Sequence, residues 1–270
     1  MAVAVTNPSD NPSLPDNAAA PDSFIDKWLA RWPEWSVAQV FIPPLQRGMW
    51  LAWAALQQEL TDAAWGGGDA RPGEAKLGWW QEELEGWSRG VRRHPLGQVL
   101  QGLPGDWLSL ARMLPALRDG REQPTDAAHA WRQVETVAQA FARVDVMLQN
   151  GSAGLSQAPA AGFVAPVSLQ LLHARLLAAG EMAVPLQELS RAGQGDATRT
   201  WAQHLAQRSA QNAPGVAGSL RDVAPDAQAG LPRFRRVMAA LAQHRLRQGD
   251  AARPLPAWRA LLVAWRAARN

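Results

Sequence analysis

The sequence predicts an all-α fold, a single-domain helical bundle, and three observations predict it. Alanine, leucine, glutamine and arginine dominate, and all four are good helix formers. β-Branched residues are sparse, and no stretch alternates apolar and polar residues for long. Apolar residues recur instead three and four apart, as on one face of a helix. With 47% hydrophobic residues among 270, the chain has apolar area enough for one large core.

Taken in order, residues 1–22 carry Asn, Pro, Ser, Asp and Ala with little apolar content and are expected to be disordered. The folded domain is expected over 23–270. Phe24, Ile25, Trp28, Leu29 and Trp32 fit a short amphipathic helix ending before Pro33. Pro43-Pro44 can open the next helix, because proline is tolerated in a first turn, and Gly66-Gly67-Gly68 stops it after Trp65. A helix over 73–90 places Leu77, Trp80, Leu84 and Trp87 on one face. Shorter helices fit 95–101 and 106–118, with Asp106 as a cap. Thr125 or Asp126 can cap a long helix to about Leu148, with Trp131, Val134, Ala138, Phe141 and Leu148 inward. Residues 150–162 read as a loop. Further helices fit 165–179, 185–192, 197–212, 231–248 and 256–269, the last with a stripe of Trp258, Leu261, Leu262 and Trp265.

The composition excludes several chemistries. Without cysteine there are no disulfides, thiol nucleophiles, iron–sulfur clusters or cysteine zinc sites. His94, His129, His173, His204 and His244 lie far apart and form no metal-spaced pair. There is no nucleophile elbow, phosphate loop or dinucleotide glycine motif. No basic-plus-apolar leader is visible, and no apolar run reaches the roughly 18 residues needed to span a bilayer. The expectation is a cytoplasmic chain. Charge is uneven: residues 1–90 hold six Lys/Arg against twelve Asp/Glu, whereas 199–270 hold twelve Arg against three Asp. That basic end allows peripheral contact with the inner membrane. The arginines at 233, 235, 236, 245 and 247 have only Phe234 interleaved, so no nucleic acid partner is expected.

One segment carries more information than the rest. Ala75-Lys-Leu-Gly-Trp-Trp-Gln-Glu-Glu-Leu84, followed by His94-Pro95, closely resembles the signature helix of bacterial squalene/phytoene synthase-like proteins, the head-to-head prenyl transferases. The resemblance extends in scattered pieces over most of 24–269. It implies an isoprenoid-synthase-like bundle and two facing aspartate-rich magnesium sites.

Both sites depart from the family pattern. Pro44-Leu45 and Arg47 fit the start of the family's first motif helix, and Ala52–Leu60 its apolar run. The acidic cluster then reads Thr61-Asp62-Ala63-Ala64-Trp65, one aspartate where several are expected. Asp62 with Glu59 on the same helical face supplies too few oxygens for the octahedral magnesium ions that hold a diphosphate. The second motif has two registers. In one, Ser168–Leu177 and Val184–Gly193 match by chain distance, the aspartates are gone, and Arg175 and Glu181 are the polar remnants. In the other, Arg221, Asp222 and Asp226 form a local DxxxD pattern close to the C-terminal end, with Pro225 placing them in a surface turn. The 14 tryptophans are accompanied by no tyrosine, although tyrosines commonly handle the diphosphate in this family.

The resemblance therefore implies a non-catalytic or repurposed family member that binds a prenyl lipid or a protein partner. Arg47, Glu59, Asp62 and Arg175 are its candidate site remnants, with no metal and no cofactor. The alternative is an active transferase condensing prenyl diphosphates with magnesium, through Asp62, Asp222 and Asp226. Trp79, Trp80, Glu82 and Glu83 of the signature helix are expected to pack the core with their indoles and face water with their acids.

Overall fold

A computed structural model describes residues 20–151, 159, 161–192, 197–212 and 230–269. Among them are twelve α-helices and no strand, as the composition predicts. Of the disorder expected over 1–22, residues 1–19 lie outside the described residues, as does the surface turn expected for Asp222 and Asp226, whereas Pro21 and Asp22 are helical, a correction to that boundary.

The first helix starts earlier than its apolar pattern suggests. It spans Pro21–Arg31 (α1), because Pro21 is compatible with a first helical turn and Asp22 faces the positive end of the helix dipole. The short Trp35–Ala38 (α2) carries no period long enough to be read from sequence. Pro44–Trp65 (α3) and Arg71–Trp87 (α4) follow, joined by the glycine turn, where Gly67 has φ +71°. Next come Leu96–Leu100 (α5) and Trp107–Asp119 (α6), whose cap Asp106 accepts from the Ser109 N–H. Ala127–Asn150 (α7) is capped by Asp126 rather than Thr125, through the His129 N–H at 2.7 Å. Ala161–Ala179 (α8) begins four residues before the expected start and carries Pro166 inside it. Leu186–Arg191 (α9), Ala197–Asn212 (α10), Arg233–Arg247 (α11) and Ala257–Arg269 (α12) complete the order.

The centre is built from four helices. α3 packs on α1, α4 and α8; α8 packs on α7, α10 and α11; α7 packs on α6; and α12 lies outside on α11 and α2. Ten of the fourteen tryptophans are buried. Their large area adds to the leucine core where β-branched aliphatics are sparse. Trp50 stacks on Phe234 at 5.1 Å, and Trp53 meets Phe141 and Trp107 edge-on.

The stretch Gly162–Ala183 is, at 22 residues, long and apolar enough to cross a membrane by length and composition. Its position in this fold is the middle of the bundle, with His173 and Arg175 buried.

The packing of α4 shows what its tryptophans and acids do in the fold. Trp80 and Trp87 are buried, as expected, whereas Trp79 is only half-buried, with Arg93 over its ring at 5.4 Å. Glu82 faces water, but Glu83 does not. Its carboxylate accepts from the Trp87 indole at 2.8 Å and from the backbone N–H groups of Arg93 and His94 at 2.7 Å each. Burial pushes this carboxyl up, but these three hydrogen bonds and a fourth from Arg93 Nε at 3.1 Å outweigh that and hold it below the usual range. Glu83 thereby fastens the turn at 93–94 to α4. His94 then packs against Trp80 at 4.5 Å and Phe24 at 4.4 Å, and burial, its first cause, pushes it down to about 4. The expectation of a water-facing acid fails because a turn, not solvent, satisfies Glu83.

Candidate functional site

The two acidic candidates on α3 come together. Glu59 and Asp62 are three apart and project toward α1 and α4. Glu59 receives Lys27 at 2.5 Å from α1 and Lys76 at 2.6 Å from α4. Asp62 receives both guanidinium nitrogens of Arg31, at 2.6 and 3.2 Å, and Lys27 at 3.7 Å. The Glu59 side chain is only 5% exposed. Burial pushes its carboxyl up, but hydrogen bonds from Lys27 and then Lys76 win, so it lies below the ordinary value and stays ionised. Both acids are therefore neutralised by the chain's own cations.

The other two candidates lie elsewhere. Arg47 sits in the first turn of α3 and donates to the Ile42 carbonyl at 3.0 Å. Twelve residues of helix separate it from Glu59, about 18 Å at 1.5 Å per residue. Arg175 is buried, and its guanidinium donates to Gln133 Oε1 at 2.7 Å and to the Glu122 carbonyl. Burial alone pushes it down to about 10. It braces α8 against the start of α7. Glu181 is exposed beyond the end of α8.

The magnesium set that the resemblance implies does not fit these residues. Each α3 carboxylate is ion-paired. Thr61 turns its hydroxyl back to the Gln57 carbonyl at 2.9 Å, and Trp65, in the last acidic slot, is buried. α8 contains no acid, and it turns Gln170, Leu171, Ala174 and Leu177 toward α3. Among the described residues, no three His, Asp or Glu side chains converge as a metal site.

What fills the space between α3 and α8 is a polar plug that the sequence reading missed. Arg235, from α11, is fully buried and makes a double hydrogen bond to Asp145 of α7, at 2.7 and 2.8 Å. It also donates to Gln170 Oε1 and to the side-chain oxygen of Gln57. The Trp53 indole donates to Asp145 at 2.7 Å. A gap of about 30 Å³ is left beside it, bounded by Trp28, Trp32, Phe141 and the α8 residues. That is room for a single water, not for a prenyl chain.

A second ion pair seals the far side. Arg245 holds Glu34 through two nitrogens, one at 2.6 Å, and lies over the Trp32 ring at 4.2 Å. Glu34 also accepts the Leu255 N–H at 2.8 Å. In sequence these residues read as members of a basic C-terminal surface and an isolated acid. Nothing local marks them as partners 211 positions apart. The α3 pairs had one signal: Lys27 and Lys76 are the only lysines of the chain, and both end on Glu59.

The larger space is on the opposite side of α7 and α8. A groove of about 950 Å³ runs between α6, α7, α8 and α10. Met113, Trp131 and Val164 give it apolar walls, while Arg132, Glu135 and Arg208 stand along it. Arg208 lies over the Trp131 ring at 5.4 Å. No protein-family model, no curated protein and no solved structure matches this chain.

Proposed function

We propose that this chain is a non-catalytic protein of the squalene/phytoene synthase-like type that binds a prenyl lipid. The observation that carries the reading is the occupation of Glu59 and Asp62, at the first-motif positions, by Lys27, Lys76 and Arg31. A carboxylate whose oxygens already hold the chain's own cations at 2.5–2.6 Å would have to give those cations up to take a magnesium–diphosphate complex. The groove supports the lipid half of the reading. Its volume of about 950 Å³ suits a lipid chain, Trp131 and Met113 offer apolar contact, and Arg132 and Arg208 offer charge for a phosphate head.

Titration calorimetry with farnesyl diphosphate tests this. Binding is expected in EDTA and unchanged by added magnesium. Arg208→Glu should weaken it about tenfold, the scale of one charge-assisted hydrogen bond. Ala140→Trp, which fills the groove, should abolish it, and Asp62→Asn should leave it alone. Magnesium-dependent diphosphate release that Asp62→Asn abolishes would establish the active transferase instead. No binding of any prenyl ligand would leave a protein partner as the occupant of this scaffold.

A further inference from the structure

Helix α12 is built the wrong way round for an ordinary surface helix. Such a helix turns its large apolar residues inward. Here the buried face is small, Ala260, Val263 and Ala264 against α11 and α2. The large residues point outward: Trp258 is 70% exposed, Trp265 42%, Leu261 43% and Leu262 38%. Their spacing of three, four and seven puts all four on one stripe. Val40, in the turn at Gln39–Phe41 that α12 packs against, adds a further exposed apolar side chain. The inward orientation that a Trp–Leu stripe ordinarily implies is thus reversed.

The charge around the stripe has one sign. α12 carries Arg259, Arg266 and Arg269 and no acid. Arg259 and Arg266, seven apart, share one flank, and Arg269 lies over the Trp265 ring at 4.7 Å. From α11, Arg236 reaches the Ala268 carbonyl and Arg233 the Phe41 carbonyl. His244 beneath them is held down to about 4, first by burial and then by Arg247, Arg259 and Arg266, so these guanidiniums converge on one place.

We propose that this face docks on an anionic membrane surface. α12 lies in the plane of the interface, with Trp258, Leu261, Leu262 and Trp265 at the headgroup–acyl boundary and the arginines on lipid phosphates. Two arguments favour a bilayer over other occupants. Indoles near both ends of the stripe, flanked by arginine, are the chemistry of an interfacial helix. A second copy of this chain would bring the same arginines face to face, and like charges oppose such a symmetric contact. The proposal does not rest on lipid binding in the groove, which lies between other helices.

Co-sedimentation of the full chain with vesicles tests it. The chain should pellet with phosphatidylcholine vesicles containing phosphatidylglycerol and stay in solution with phosphatidylcholine alone. Raised salt should release it, because exposed charges are screened. Arg259→Glu with Arg266→Glu should weaken binding about tenfold or more, each arginine near an anionic leaflet contributing a factor of roughly five. Trp258→Ser with Trp265→Ser should do the same, with the far-ultraviolet circular dichroism unchanged. The proposal fails if the unmodified chain ignores anionic vesicles, or if it binds them and neither pair of changes weakens it. It fails equally if sedimentation velocity shows a dimer that the tryptophan changes dissolve, which would assign the face to a second copy.

Discussion

The helices α7 and α8 wall two spaces, one nearly closed and one open, and their residues explain both. Toward α3, α7 presents Phe141 and Asp145, and α8 presents Gln170, Leu171, Ala174 and Leu177. Arg235 enters between them from α11, and the indoles of Trp28 and Trp32 close the rim, leaving about 30 Å³. On the opposite side the same two helices present Ala128, Ala140 and Ala165 beside Trp131 and Val164, and about 950 Å³ remains. Small residues leave room, whereas aromatic rings and an arginine–carboxylate pair consume it. In this fold the space between α3 and α8 is core, and the larger accessible volume lies across α7.

The strongest way to break this contrast is to remove the plug. Arg235→Ala leaves Asp145 buried beside Trp53 without its counter-charge, and should cost about 3–5 kcal/mol, the usual penalty for half of a buried pair. Replacing both together, Arg235→Met with Asp145→Leu, should recover much of that loss, because two apolar groups need no partner. Urea unfolding of the single and double variants measures it. Equal losses in both would mean that the pair contributes through shape rather than charge, and the account of the closed side would need revision.

How much of this was legible in the sequence differs between the two spaces. The helices were readable because proline starts, glycine stops and three-to-four spacing are local signals. Pro44, Gly66 and Asp126 marked their boundaries to within a residue or two. Thr61 and Trp65 were readable as departures from an aspartate-rich cluster. What filled the space was not. Arg235 and Asp145 are 90 positions apart, and Arg235 sits in an arginine run indistinguishable from a solvated surface. Burial of a charge depends on which face of α11 meets α8, a tertiary property that no local pattern carries. The same limit explains α12, whose stripe was visible and whose direction was not.

A second prediction sharpens the closed side through pH. His173 on α8 is fully buried; its Nε2–H donates to the Ala251 carbonyl at 2.9 Å, since a carbonyl only accepts, and Nδ1 has no partner. Trp32 meets the ring edge-on at 5.2 Å, and Arg245, Arg31 and Glu34 supply the nearby charge. Burial first of all holds it down to about 4, against 6.5 in the unfolded chain. Between those values the unfolded state binds more protons than the folded one, so the His173 contribution must lower stability as pH falls from about 6.5 to about 4, and then stay constant below. At 1.36 kcal/mol per pH unit this amounts to about 3 kcal/mol. His94 and His244 move in the same direction and add to the slope. Chemical denaturation at pH 7 and pH 4.5 should show the fall, and His173→Leu should flatten it by close to one proton. The readout is the slope, because the variant also loses the bond to Ala251 and will be weaker at pH 7. An unchanged slope would mean that water reaches this ring, and that the interior is less sealed than the packing indicates.

The smallest expected effect is the one that separates the two functional readings most directly. Asp62 is held by Arg31 and Lys27 at the edge of the bundle, with its side chain 20% exposed and Arg31 33% exposed. Such a pair is screened by water, so Asp62→Asn should lower stability by about 1 kcal/mol or less. Glu59→Gln should lower it more, because that carboxylate is nearly buried and receives two lysines, although both lysines are partly in solvent. A free metal-binding carboxylate would behave differently. Removing it would relieve repulsion among neighbouring acids, and magnesium would raise the melting temperature of the unmodified chain, since any ligand of the folded state stabilises it by mass action. The expected result is a melting temperature indifferent to magnesium in the unmodified chain and in Asp62→Asn alike. A rise with magnesium that Asp62→Asn removes would show that Arg31 and Lys27 yield this carboxylate to a cation. The closed side of the bundle would then be a site in waiting rather than core.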